Sequence, residues 1–345
     1  MDQLMREIHQ QPEVLKHLTT DHFGQFERAA SAIRTRQVSN VLIAARGTSD
    51  NAGRYAQYLL GHQHRLPVAL ATPSLYTVYK TPPNLKDTLV IGISQSGTSP
   101  DIVAVIEDGQ SQGMLTLAIT NEPESPLAQA AELAIDCHAG QERSVAATKT
   151  YTAQLASVAL LSAALGADGS ILGTLRKVPQ AIEQTLAQSD ALEAVSKQYA
   201  QLTHTAVIGR GFNYCTAFEI ALKVGELAYV AARPYSSADF MHGPIALVEA
   251  GYAVLLVAPT GKILPEMQEL AKTLQEREAD LLIISDDADT LAAASTAMPI
   301  PHGIPAWASP LVAVIPGQLL AHHLAFAKGY DPVQPRSLKK VTKTL

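Results

Sequence analysis

Cysteine and charge are both scarce in this chain. Two cysteines, Cys137 and Cys215, in 345 residues build neither a disulfide scaffold nor a cysteine-rich zinc site. Cysteine usage of this kind makes the cytoplasm the expected compartment. Charged residues are 17% of the total, against about 25% in ordinary soluble domains. With 47% hydrophobic residues, that balance excludes a disordered chain. A formal net charge of −6 argues against a nucleic-acid binder, which needs a basic surface to neutralise phosphates. The most apolar long stretch is read as Leu155 to Leu165, about half a membrane span and interrupted by serine, so no membrane partner is expected. No apolar signal core follows Met1–Glu7. No metal-ligand spacing, Walker loop or Gly-x-Gly-x-x-Gly fingerprint is present, and no Gly-x-Ser-x-Gly elbow. Neither a metal nor an organic cofactor is expected.

What the chain does have is a repeat. The apolar run Val41–Ala45 ends in Arg46-Gly47, and Ala206–Gly209 ends in Arg210-Gly211, 164 residues later. Leu89–Ile93 leads to Gly97, and Val254–Ala258 leads to Gly261, at the same offset. Strands at Leu115–Ile119 and Leu281–Ile284 form a third pair near it. Runs rich in Val, Ile and Leu without polar alternation predict parallel strands buried on both faces, with helices covering each face. The organisation read from this is an N-terminal helical segment (1–29), one α/β unit (30–165), a helical connection (166–194), a second α/β unit (195–330) and a tail (331–345). The tail holds Pro332, Pro335 and three lysines, and reads as a solvated extension or a lid.

The sharpest local feature is Ser94-Gln95-Ser96-Gly97-Thr98-Ser99-Pro100 after the strand Leu89–Ile93. Ser99 is placed as N-cap and Pro100 in the first helical turn. Four hydroxyls beside a helix N-terminus make an anion site without lysine; a capped turn with polar filler is the other reading. Arg46-Gly47-Thr48-Ser49 is a second strand-to-helix turn, where Thr48 and Ser49 either cap the helix or face a ligand, since open α/β sheets bind ligands at strand carboxyl ends. Val145 and Ala147 lie among small residues that admit close backbone approach. Lys223 and Glu226 share a helix face three residues apart, either as a surface ion pair or as a base with its cation. His242 precedes Gly243-Pro244 in a turn, while His322 and His323 read as packing or surface residues of a helix.

Taken together, these motifs resemble the double sugar-isomerase (SIS) domain family. The chain looks like the isomerase half of glutamine:fructose-6-phosphate aminotransferase and like the stand-alone SIS-type glucosamine-6-phosphate deaminases. The resemblance rests on Arg46–Ser49, Ser94–Gly97, Val145–Lys149, Ala221–Lys223, Glu226, His242–Pro244 and the tail Gln334–Thr342, and covers nearly the whole chain. It implies two tandem SIS domains, each a three-layer αβα, flavodoxin-like unit with a parallel sheet.

The resemblance also implies roles. Ser94, Gln95, Ser96 and Ser99 would hold the sugar phosphate, and Thr48, Ser49, Val145 and Ala147 would line the sugar. Glu226 would move a proton between C1 and C2, with Lys223 beside it. His242 would open the ring, reaching the site of the neighbouring subunit in a homodimer. Lys340 would close over the open-chain sugar, which makes the tail a lid. Three departures point to the deaminase branch. No glutaminase domain or N-terminal cysteine is expected here, Ala147 stands where the aminotransferases have serine, and the stretch Ala231–Pro234 and the residue after Lys340 differ. The expected partner is an amino sugar phosphate, and the expected reaction is conversion of glucosamine 6-phosphate to fructose 6-phosphate and ammonia. Alternatives are a phosphosugar aldose–ketose isomerase, a galactosamine-6-phosphate deaminase, or a phosphosugar-binding module without catalysis.

Overall fold

The computed structural model describes residues 1–167, 169–338 and 340. Two compact units each hold one five-stranded sheet. One comprises residues 13–143, 149–176 and 340; the other comprises 1–12, 144–148 and 177–338, each counted over the described residues.

In the first unit the strands are β1 (Asn40–Ala44), β2 (Val68–Leu70), β3 (Thr88–Ser94), β4 (Thr116–Thr120) and β5 (Leu133–Asp136). Every pairing is parallel and the order is β2-β1-β3-β4-β5. Residues of β3 and β4 are buried throughout, as a central strand covered on both faces requires. Val90, Ala118 and Ala44 pack with Ile102, Val105 and Ile106 of the helix Pro100–Ser111. The helices Thr48–His64 and Phe23–Thr35 pack on Lys149–Gly166.

In the second unit the strands are β6 (His204–Gly209), β7 (Ala231–Ser236), β8 (Ala253–Val257), β9 (Asp280–Ser285) and β10 (Thr296–Pro299). They are again all parallel, in the order β7-β6-β8-β9-β10. The strand order of the first sheet is therefore repeated, and it is the flavodoxin-like order with its switch point between the first and third strands of each unit. The expected tandem α/β architecture is what the structure shows.

The second unit's core helix corrects the reading of the apolar runs. Pro310–Ala327, not Leu155–Leu165, is the one helix among the described residues long and apolar enough to cross a membrane, and 89% of it is buried. It packs against the helix Tyr214–Ala228. At the crossing, a Cβ on Gly317 would lie 2.3 Å from Ile220 Cγ1, so glycine sets how closely these helices approach. The buried burden of Pro310–Ala327 thus fixes the helix that carries Lys223 and Glu226.

Candidate active site

The turn after β3 is tightly wired. Ser94 Oγ accepts from Gly97 N at 3.1 Å, and Ser96 Oγ lies 2.9 Å from Thr98 Oγ1. Gln95 O accepts from Asn121 N at 3.2 Å, and Gly97 O accepts from Leu127 N at 3.0 Å. Gly97 has φ +60°, and a Cβ there would lie 2.0 Å from Ser125 Oγ. The turn is pinned to the segment after β4, so its hydroxyls and amide groups are preorganised at the N-terminus of Pro100–Ser111. Ser99 does occupy the N-cap position, but its side chain makes no cap hydrogen bond, which corrects the capping role expected of it. Gln95, Ser96 and Ser99 are half-buried.

The turn after β1 sits beside it across the switch point. Gly47, with φ +54°, is the N-cap of Thr48–His64 and contributes no side-chain bond, so the cap reading of Thr48 and Ser49 is not what the structure shows. Ser49 is buried, and its Oγ accepts from Gln154 Nε2 at 3.0 Å. Its role in the described state is to bind two helices. Arg46, exposed, donates from Nε to Asp101 Oδ2 at 2.8 Å. Their pairing is not legible in the sequence, because nothing local links residues 55 apart.

Lys340 Nζ, on the tail, lies 3.0 Å from Glu142 Oε2. Glu142 is completely buried as a side chain and also accepts from Thr150 N at 3.2 Å and Thr150 Oγ1 at 2.6 Å. Of the tail 331–345, Lys339 and 341–345 lie outside the described residues.

In the second unit, Lys223 and Glu226 form the pair that their spacing predicts. Lys223 Nζ is 2.5 Å from Glu226 Oε2 and 3.6 Å from Glu219 Oε1. The lysine and Glu219 side chains are 2% and 0% exposed, whereas that of Glu226 is 27% exposed. A surface ion pair is thereby excluded: the ammonium is internal, and one of its two carboxylates reaches solvent. Glu219 was not foreseen, although its i,i+4 spacing to Lys223 was readable. Glu226 lies near the C-terminal end of its helix, five residues before β7 begins alongside the start of β6. It is thus remote from its own sheet's switch point.

His242 caps the C-terminal end of Ser237–Met241 and is exposed, as is Met241. Val145 and Ala147 are half-buried and group with the second unit. Tyr229 was also missed. Its Oη accepts from Arg336 N at 2.7 Å, and the Arg336 guanidinium lies 3.9 Å above its ring. Pro332 and Pro335 are buried, so this part of the tail is docked rather than solvated.

The SIS domain family model matches residues 35–164 and 198–328. The chain belongs to the SIS domain family. It is 32% identical over 355 residues to a glutamine–fructose-6-phosphate aminotransferase (isomerizing) of Pseudomonas syringae pv. tomato, an alignment covering 98% of this chain and 58% of the relative. The chain therefore spans less than two thirds of the curated relatives it matches. The C-terminal domain of glucosamine-fructose-6-phosphate aminotransferase from Francisella tularensis superposes with a TM-score of 0.89 at 27% identity, covering 97% of this chain and 98% of that one. A glucosamine-6-phosphate deaminase from Thermotoga maritima superposes with a TM-score of 0.81 at 20% identity, covering 99% and 100%; that likeness is of fold alone.

Proposed function

We propose that this SIS protein is a phosphosugar isomerase that deaminates glucosamine 6-phosphate to fructose 6-phosphate and ammonia. The observation that carries this reading is the Lys223–Glu226 couple. A carboxylate 27% exposed is held at 2.5 Å by an ammonium that is itself internal, the arrangement of a positioned base rather than of a surface pair. The hydroxyl-rich turn Ser94–Ser99 is the phosphate cradle, and the aminotransferase relatives are named for a sugar phosphate.

The roles follow from the chemistry. His242 moves the ring-opening proton between the C1 hydroxyl and the ring oxygen. Glu226 takes the C2 proton of the open aldehyde, giving an enolamine, and returns a proton to C1. The resulting C2 imine adds water and expels ammonia, leaving the ketose. Lys340 and Lys223 stabilise negative charge developing on oxygen. Thr48, Ser49, Val145 and Ala147 are assigned to contacts with the sugar. A second copy of the chain, docking on the exposed segment around Met241 and Leu247, each 49% exposed, receives His242.

Ammonia release by the purified chain, with glucosamine 6-phosphate, galactosamine 6-phosphate and N-acetylglucosamine 6-phosphate, tests this. Release from the first alone is expected. Release from galactosamine 6-phosphate instead reassigns the epimer. Aldose–ketose exchange without ammonia replaces deamination by simple isomerisation. Binding without turnover leaves only a phosphosugar-binding module.

A further inference from the structure

The phosphate cradle proposed above has no cation of its own. From Ser94 to Pro100 every residue is neutral, yet a phosphate monoester carries a charge of about −1.5 to −2 at neutral pH. Hydroxyls and amides orient such a group, but the paired N–H donors of a guanidinium fork recognise it more strongly.

Arg46 meets that need. The β1–β3 register pairs Ala44 with Gly92, so Arg46, two residues past the end of β1, and Ser94, the last residue of β3, leave the sheet at the same edge. Asp101, in the first turn of the helix that the cradle opens, is completely buried and takes the Nε–H of Arg46 at 2.8 Å. Its other oxygen accepts from Ile102 N at 3.0 Å. The arginine side chain is 50% exposed. Neither terminal amino group has a hydrogen-bond partner among the described residues. Asp50, the other carboxylate sensing Arg46, is engaged by Arg54 at 3.1 Å. The guanidinium is therefore anchored by its inner nitrogen, and its outer fork is open.

The second repeat supplies a contrast. Arg210 occupies the corresponding place after β6, and Glu266 lies in the first turn of the corresponding helix, Leu264–Glu276. There the carboxylate binds a terminal amino group, Nη1. The turn after β8, Ala258-Pro259-Thr260-Gly261-Lys262, offers one hydroxyl instead of four. The fork is occupied where the hydroxyl cradle is missing and open where it is present.

We infer that Arg46 is the cationic anchor for the substrate's phosphate, with Asp101 as its positioning residue. The inference rests on the phosphosugar reading above and adds to it a bidentate contact. Because the Arg46–Asp101 pair is neutral overall, the gain comes from directed N–H donors, not from long-range attraction. Lysine, a point charge without the fork, does not replace it.

Calorimetric titration of the full chain with fructose 6-phosphate, inorganic phosphate and fructose tests this, alongside steady-state kinetics with glucosamine 6-phosphate. The variants are Arg46→Lys and the double variant Arg46→Met with Asp101→Asn, which removes the buried charge together with its partner. Expected is a loss of affinity for fructose 6-phosphate on the order of ten- to a hundredfold in both, with KM rising and kcat little changed. Unchanged affinity in either folded variant overturns the assignment, as does a fall in kcat at constant KM. If the wild type binds inorganic phosphate and the variants do not, but no sugar phosphate is bound or turned over, the anchor stands and the phosphosugar reading falls. If the wild type binds neither, both fall.

Discussion

Lys340 Nζ sits 3.0 Å from the buried carboxylate of Glu142, 198 residues earlier in the chain. The lysine is 24% exposed and the carboxylate is not exposed at all, so the tail is tethered by a charge that cannot move. Removing the lysine should leave sugar-phosphate affinity within a few fold and lower kcat by about 10²–10³, as loss of a preorganised cation does. Glu142→Gln retains a hydrogen-bond acceptor but not the charge, and should speed hydrogen exchange over 336–338 without changing that of the strands. Kinetics of Lys340→Met and exchange mass spectrometry of Glu142→Gln check the two arms. Full turnover by Lys340→Met would remove the lysine from the mechanism.

Glu226→Gln should reduce kcat by about 10²–10⁴, the range for a general base. Lys223 can still donate to the amide oxygen at the distance seen now, 2.5 Å, so KM should change little. Exchange of the C2 proton of glucosamine 6-phosphate in deuterated water, followed by NMR, reports this step alone. Wild-type exchange in the variant would move the base elsewhere.

The central strands and the repeat were legible because they obey local rules. Leu89–Ile93 and Val254–Val257 are unbroken aliphatic runs at matched spacing, and both are buried throughout. The edge strands were not legible: β2 has three residues, none fully buried, and β7 carries arginine and proline. Among site residues, Lys223 and Glu226 were readable because helical geometry fixes their spacing. Arg46 with Asp101, Glu142 with Lys340 and Tyr229 with Arg336 were not. Those partners meet only because strand order and tail docking bring distant segments together. Ser49 was legible as a hydroxyl beside a ligand turn, but its engagement by Gln154, 105 residues on, was not.

Gly97→Ala should be severely destabilising. The new methyl would lie 2.0 Å from Ser125 Oγ and 2.5 Å from Ser125 Cβ, at a φ of +60°. The left-handed backbone costs an L-residue about 1–2 kcal/mol, and overpacking adds about 1–3 kcal/mol. Ser125→Ala in the same chain removes only the first contact, so it should restore little. Thermal melts of the single and double variants, with phosphate titration of whatever folds, measure both effects. A melt unchanged from wild type would mean the turn is not rigid.

Acid should weaken the second unit through His323. This residue is 8% exposed on the core helix Pro310–Ala327, with Nε2 3.0 Å from Ser189 Oγ. Burial pushes its pKa down to about 4, and the neighbouring His322 adds to the fall; Glu193, Asp190 and Asp2 oppose it. In the unfolded chain the pKa returns to about 6.5. Between these values the unfolded state binds the extra proton, so stability is complete above about pH 6.5 and declines as pH falls toward 4. The loss is on the order of 3 kcal/mol once the native value is reached. His323→Gln keeps a hydrogen-bonding group for Ser189 but does not titrate, so its stability should decline less over that interval. Urea unfolding of both proteins at several pH values from 4 to 7.5 gives the two slopes. Equal slopes would show that carboxylate titration, not the buried imidazole, governs the acid limb.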